Sequence, residues 1–191
     1  MNPLQKMRLA RLTQRLERYM PQPETYPDDA AGLIACRLAV EGLRAGNYGI
    51  GAVIMDQKHR PVVESSNGVF EPGFDSAGHA EMVAVDELER RFPDLAPANL
   101  TLVASLEPCP MCYTRLKLAG LGRVRYLAPD PDGGMAHLAG RLPAIWRLLN
   151  PGQDFGLAAV SPELRQMARR LFLIDLRALR RRLLSRIQPP A

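Results

Sequence analysis

Two short stretches constrain this chain more than anything else in it: His79-Ala80-Glu81 and Glu107-Pro108-Cys109-Pro110-Met111-Cys112. They supply one imidazole, two thiols at i and i+3, and a carboxylate two residues after the imidazole. One His and two Cys are the nitrogen and sulfur donors that zinc prefers. Three protein ligands leave a tetrahedral ion one open position, which a catalytic zinc uses for water. Glu81 is then a poor fourth ligand and a good proton carrier beside that water. Cys109 and Cys112 fall on one face of a helix turn, and Pro110 sits at the first helical position, where proline is welcome. Thiols at a helix N-terminus near a metal ionise readily. His79 and Glu81 would point apart in mid-helix, so the pair is expected at a helix mouth, with Asp75 or Ser76 as the cap.

On residues alone, two other readings of the cysteines stay open: a redox pair, or half of a structural zinc site. A redox pair usually lacks the His-x-Glu partner, and a structural site wants four ligands. The remaining cysteine, Cys36, lies in the apolar run Gly32 to Val40 and reads as a small core residue. His59 sits in the turn-like Asp56 to Arg60, and His137 follows Gly133-Gly134; neither has a motif around it.

His-Ala-Glu followed by Pro-Cys-Pro-Met-Cys resembles the zinc-dependent cytidine/deoxycytidylate deaminase superfamily. Within it, Ser105 to Cys112 (SLEPCPMC) is similar to guanine deaminases, bacterial tRNA adenosine deaminases and their nucleoside-deaminase relatives. The resemblance runs from about Asp29 to about Arg177. It implies Zn²⁺ held by His79, Cys109 and Cys112, with Glu81 as the catalytic proton carrier. It also implies that backbone amides near Ala80 and Cys109 orient substrate and hydroxide. Asn67, twelve residues before His79, matches the asparagine this family uses to hold substrate. Asn67-Gly68 reads equally well as a plain turn dipeptide. The loop Gly68 to Gly78 is expected at the mouth of the site, with Phe74 and Asp75 as candidate substrate contacts. Its aromatics would stack on a base or cover the core. Four positions depart from close relatives: Tyr113 stands where a small residue is commoner, Thr114-Arg115 replace the usual Gly-Ala, and Gly49 takes the place of a frequent proline.

A chain of 191 residues with 47% hydrophobic residues is long enough for one well-buried core and short for two. Three cysteines, two of them claimed by the metal, leave no disulfide framework. The first twenty residues lack the apolar core of a signal peptide, and no uncharged apolar run reaches membrane length. A cytoplasmic protein without membrane partners is expected. The net charge of +5 is uneven: residues 1–20 carry +4, residues 161–191 carry +6, and the middle therefore −5. An acidic body makes a poor RNA platform, so a small-molecule nucleobase or nucleoside is the expected substrate and tRNA the alternative. A catalytically idle, zinc-bearing binding subunit is a third reading, opposed by intact His79 and Glu81. A homodimer is the expected assembly.

Near-helical spacing of Leu4, Met7, Leu9, Leu12, Leu16 and Tyr19 predicts an amphipathic helix over 3–20. A proline-rich linker, Pro21 to Pro27, follows, so residues 1–27 are read as a helix and linker before a deaminase domain of residues 28–191. That domain is expected to start with a helix to about Ala45 and a hairpin-like pair of strands, Gly49 to Met55 and Pro61 to Ser66. Next come the helix after His79, a buried strand Leu100 to Ser105, the cysteine helix to about Ala119 and a strand Arg123 to Ala128. A helical stretch from about Leu138 to Leu149 precedes a fifth strand, about Phe155 to Val160. A connection of that size suits a parallel crossover and not a hairpin. One long helix, Pro162 to about Arg186, ends the chain, with Leu164, Met167, Leu171, Ile174 and Ala178 on one stripe. Strands alternating with helices predict an α/β, three-layer α/β/α sandwich around a mixed five-stranded sheet.

Overall fold

Strand β1 (Gly51–Met55) shows why the architecture is layered: every residue in it is buried. Val53 and Met55 face one hydrophobic cluster while Ala52 and Ile54 face another. A strand buried on both faces needs a layer of helices on each side. In the computed structural model, which describes residues 1–188, this is what surrounds it. The sheet has five strands in the order β2-β1-β3-β4-β5, with β2 Pro61–Ser66, β3 Thr101–Leu106, β4 Arg123–Ala128 and β5 Asp154–Leu157. β1 runs antiparallel to β2 and β3, while β3, β4 and β5 are parallel. The mixed five-stranded α/β sandwich is therefore as expected. The last three positions of the expected deaminase domain, 189–191, lie outside the described residues.

One face of the sheet is covered by α2 (Asp29–Ala45) and α6 (Pro162–Leu173), with α1 (Pro3–Arg18) packed on these two helices, and the apolar residues of all three share the first cluster. The other face is covered by α3 (Ala80–Arg91) and α4 (Pro110–Leu118). The approach of α2 to the sheet is close: a Cβ on Gly51 would meet the Ala35 carbonyl oxygen at 2.4 Å. Leu9, Leu12, Leu16 and Tyr19 of the N-terminal segment are buried in the same cluster as α2 and α6. Tyr19 is also tied by hydrogen bonds, its hydroxyl lying 2.5 Å from both the Asp29 carboxylate and the Ser161 hydroxyl.

Three expected elements differ. The stretch 138–149 is not one helix: a 3-10 turn covers Ala136–Arg141 and α5 covers Ala144–Leu148. Pro143 between them disfavours helical backbone at Leu142. The fifth strand stops at Leu157: the Ala158 amide makes the last bond to β4, to the Tyr126 carbonyl at 2.9 Å, and the chain is then held by α2. Ala159 donates to Asp28 Oδ2 at 2.6 Å, and Ser161 to Asp29 Oδ1 at 2.9 Å. The long terminal helix is two: α6 ends at Leu173 and α7 (Leu176–Ile187) begins after Asp175, which is left-handed with φ 57°. Aspartate tolerates that conformation better than most side chains. The break lets Leu164, Met167, Leu171 and Ile174 stay on the sheet while Leu179 enters a separate cluster with Tyr48, Val69 and Phe70.

Candidate active site

Helices α3 and α4 point their N-termini at one another's ligand residues. His79 and Cys109 are the residues immediately before these helices, both with extended backbone, and Cys112 lies in the first turn of α4. His79, and not Asp75 or Ser76, therefore stands at the N-cap of α3, with no side-chain cap bond. Asp75 instead closes the preceding turn, accepting from the Ala77 amide at 2.8 Å and, through its carbonyl, from Gly78 at 3.1 Å. That turn frees the imidazole to face the thiols.

The three donor atoms form a nearly equilateral triangle. His79 Nδ1 is 3.6 Å from Cys109 Sγ and 3.5 Å from Cys112 Sγ, and the two sulfurs are 3.7 Å apart. Zinc bonds of about 2.3 Å to sulfur and about 2.0–2.1 Å to nitrogen require tetrahedral edges of about 3.75 Å and about 3.55 Å. The triangle matches both edges, so these residues fit a tetrahedral zinc ion with one position free. Among the described residues they are the one His/Cys/Asp/Glu cluster with this spacing. His59 and His137 are not part of it.

The electrostatics are those of a pocket in which two thiols, an imidazole and a carboxyl share little solvent. The Cys112 thiol beside it brings the Cys109 thiol down to about 4, with His79 adding to the effect against burial. Cys112, sharing the site with that thiolate and buried, is pushed up. Burial lowers the His79 imidazole, but its contact with Cys109 outweighs that and the net shift is upward. Glu81, in the first turn of α3 and 4% exposed, is pushed above the ordinary carboxylate range by burial. A carboxyl raised in this way takes up and releases a proton more easily near neutral pH.

The loop 68–78 lies beside this pocket: the Gly68 amide donates to the Gly78 carbonyl at 2.7 Å, directly before His79. Asn67 is 1% exposed; its Oδ1 accepts from the Val69 amide at 3.2 Å, and its Nδ2 is buried with no partner among the described residues. Ala80 is fully buried, and its carbonyl accepts from the Ser65 hydroxyl at 2.7 Å. Phe74 is half-buried, with its ring 6.3 Å from that of Phe70 and the Arg186 guanidinium over its face. Asp75 is exposed.

Two supporting residues had no sequence signal as such. Buried Asn47 accepts from the Phe70 and Glu71 amides at 2.7 and 3.0 Å and pins the loop. Buried Glu107 accepts from the Asp130 amide at 2.9 Å and from the His137 amide and Nδ1 at 3.1 and 2.8 Å. Burial would raise Glu107, but these donors hold it below the usual carboxylate range. The 130–137 loop is thereby clamped onto the cysteine segment, and Gly134 lies so close that a Cβ would meet Glu107 Cδ at 2.4 Å. Glu107 stands next to the cysteine motif, which is the one hint available; Asn47 carries none.

The family model described as the cytidine and deoxycytidylate deaminase zinc-binding region matches residues 27–128. The tRNA-specific adenosine deaminase of Bacillus subtilis is 30% identical over 115 residues, 60% of this chain and 67% of that one. A tRNA(Ile)-lysidine synthase of Deinococcus deserti is 32% identical over 113 residues, 59% of this chain but only 21% of that protein. Among solved structures, the guanine deaminase of Nitrosomonas europaea superposes with a TM-score of 0.58 at 17% identity, covering 90% of this chain and 93% of that one. At that identity the likeness speaks for the fold.

Proposed function

This chain belongs to the cytidine and deoxycytidylate deaminase family, a zinc-binding family, and on that premise we propose that it hydrolytically deaminates an amino-substituted nucleobase, free or within a nucleoside or longer nucleic acid. The observation that carries the reading is the donor triangle at zinc-edge spacing with Glu81 buried beside it. His79, Cys109 and Cys112 would hold the ion. Bound there, zinc supplies an acidified water as nucleophile. Two thiolates offset its charge, so the water needs a base, and Glu81 is the base. Glu81 takes the water proton and passes protons to the ring nitrogen and to the departing amine, which leaves as ammonia while the ring carbon becomes a carbonyl. Asn67 Nδ2, a buried donor without an acceptor, would hold a ring oxygen or nitrogen; the amides at Ala80 and Cys109 would orient the reacting group. Phe74 and Asp75 would form the rim. A reducing, cytoplasmic setting fits two free thiols that serve as metal donors, and the assembly we propose is a homodimer.

The test is ammonia release by zinc-loaded protein against free bases, nucleosides and unmodified tRNA. Glu81→Gln is expected to keep zinc and fold yet lose turnover by more than the roughly 10²–10⁴-fold credited to general acid–base catalysis. Near-normal turnover by that variant would place the base elsewhere.

A further inference from the structure

The two basic ends of the chain meet. Helices α1 and α6 enclose a cleft of about 450 Å³ lined by Arg8, Arg11, Arg15 and Arg170 over a floor of Leu12 and Ile174. That is within the range of ligand clefts. Among the described residues no acidic side chain lines it. Arg15 reaches Glu163 at 2.7 Å, while Arg8, Arg11 and Arg170 have no ion-pair partner among the described residues. Four guanidinium groups converging on one cleft repel each other, and this arrangement is stabilised when a polyanion fills it. Arg8, Arg11 and Arg15 follow one another on one face of α1 at rises of about 4.5 and 6 Å, a ladder of forked donors suited to successive phosphates.

Helix α7 links the end of the cleft to the loop beside the catalytic pocket. Ile174, on its floor, precedes the turn into α7, and the Met1 amino group lies 3.3 Å from Asp175 in that turn. From there α7 runs about 18 Å, and Arg182 and Arg186 on it lie over Phe70 and Phe74 of the loop that leads to His79. Arginine stacked on an aromatic ring at the mouth continues the donor track begun in the cleft.

We propose that the α1–α6 cleft is a binding site for the phosphodiester backbone of a polynucleotide, which presents its target base to the pocket from the α7 side. This rests on the deaminase reading and narrows its substrate class to RNA or single-stranded DNA. The site lies largely on α1, upstream of the matched residues 27–128, so it is a property of this chain's own N-terminal helix.

The experiment is fluorescence anisotropy of a labelled single-stranded oligoribonucleotide of about 20 nucleotides, longer than the roughly 4–16 nucleotides such sites occupy. The full chain is compared with Arg11→Ala/Arg170→Ala and with Arg60→Ala/Arg91→Ala, which removes equal charge elsewhere. All the replaced side chains are exposed, so circular dichroism of the three proteins is expected to coincide. The first double variant is expected to bind roughly tenfold or more weakly, with the slope of log K against log salt smaller by about 1.4; the second should bind like the parent. Equal loss in both doubles, or none in the first, overturns the site. Competition by adenosine monophosphate as effective as by unlabelled RNA at equal nucleotide concentration would overturn it in favour of a mononucleotide site. Equal competition by poly-glutamate would overturn it in favour of an acidic protein. Binding is read without turnover, so failure of every deamination assay would sink the active-site reading and leave this result intact.

Discussion

At the residue scale, the site is a set of groups whose ordinary preferences are overruled by burial. Cys109 and Cys112 are held at zinc-edge spacing by the N-terminus of α4, which makes the metal part of the fold. Cys109→Ala is expected to leave the purified protein without stoichiometric zinc and with a lowered melting temperature, and stripping the parent with a chelator should lower it in the same direction. A full zinc complement in Cys109→Ala would remove that residue from the ligand set. Asn67 gives a sharper contrast. A buried donor without a partner costs about 1–3 kcal/mol, so Asn67→Ala should leave stability unchanged or slightly raised while KM for the deaminated substrate rises. Lower stability with an unchanged KM would make Asn67 a turn residue only. The motif residues were all legible in the sequence, because metal ligation demands particular atoms. Asn47 and Glu107 were not, because their work is to satisfy backbone amides that only the folded loops bring to them.

At the element scale, the C-terminal region shows how periodicity misleads. The stripe Leu164, Met167, Leu171, Ile174 and Ala178 continues in helical register through a break at Asp175. The pattern records which side faces inward and is blind to a change of axis that keeps the inward side inward. α6 belongs to the main core, where Leu171 is fully buried. Leu171→Ala is expected to cost about 2–5 kcal/mol in urea unfolding, as cavity-forming changes do. Leu173→Ala, one helical step from the core and 55% exposed, should cost well under that. Equal losses at both positions would mean that α6 does not pack as described. α7 contributes one buried leucine, Leu179, so its place beside the 68–78 loop depends on arginine–aromatic contacts and on the Arg182–Glu71 pair.

At the scale of the whole molecule, the N-terminal helix is joined to the body by polar groups as well as by its leucines. Tyr19 shares hydrogen bonds with Asp29 and Ser161, which belong to the starts of α2 and α6. Burial, with the Asp29 contact adding to it, raises the Tyr19 hydroxyl from its ordinary value to about 12. A folded-state value above the unfolded one means that this contribution is complete below about pH 10 and is lost as pH rises towards about 12. The urea midpoint of the parent should therefore fall across that window, and the fall should be shallower in Tyr19→Phe. Parallel profiles for the two proteins would show that Tyr19 does not couple α1 to the body. No helix among the described residues is long and apolar enough to cross a membrane. By itself the sequence determined the metal and its donors, the carboxyl two residues after His79, the layered fold and the uneven charge, since these depend on which atoms are present and on short-range periodicity. Only the tertiary structure decided which residue stands at the N-cap of α3, where the last helix turns, and that arginines about 155 residues apart share one cleft. Those outcomes depend on through-space packing and on the competition of distant groups for backbone hydrogen bonds, which no local pattern records.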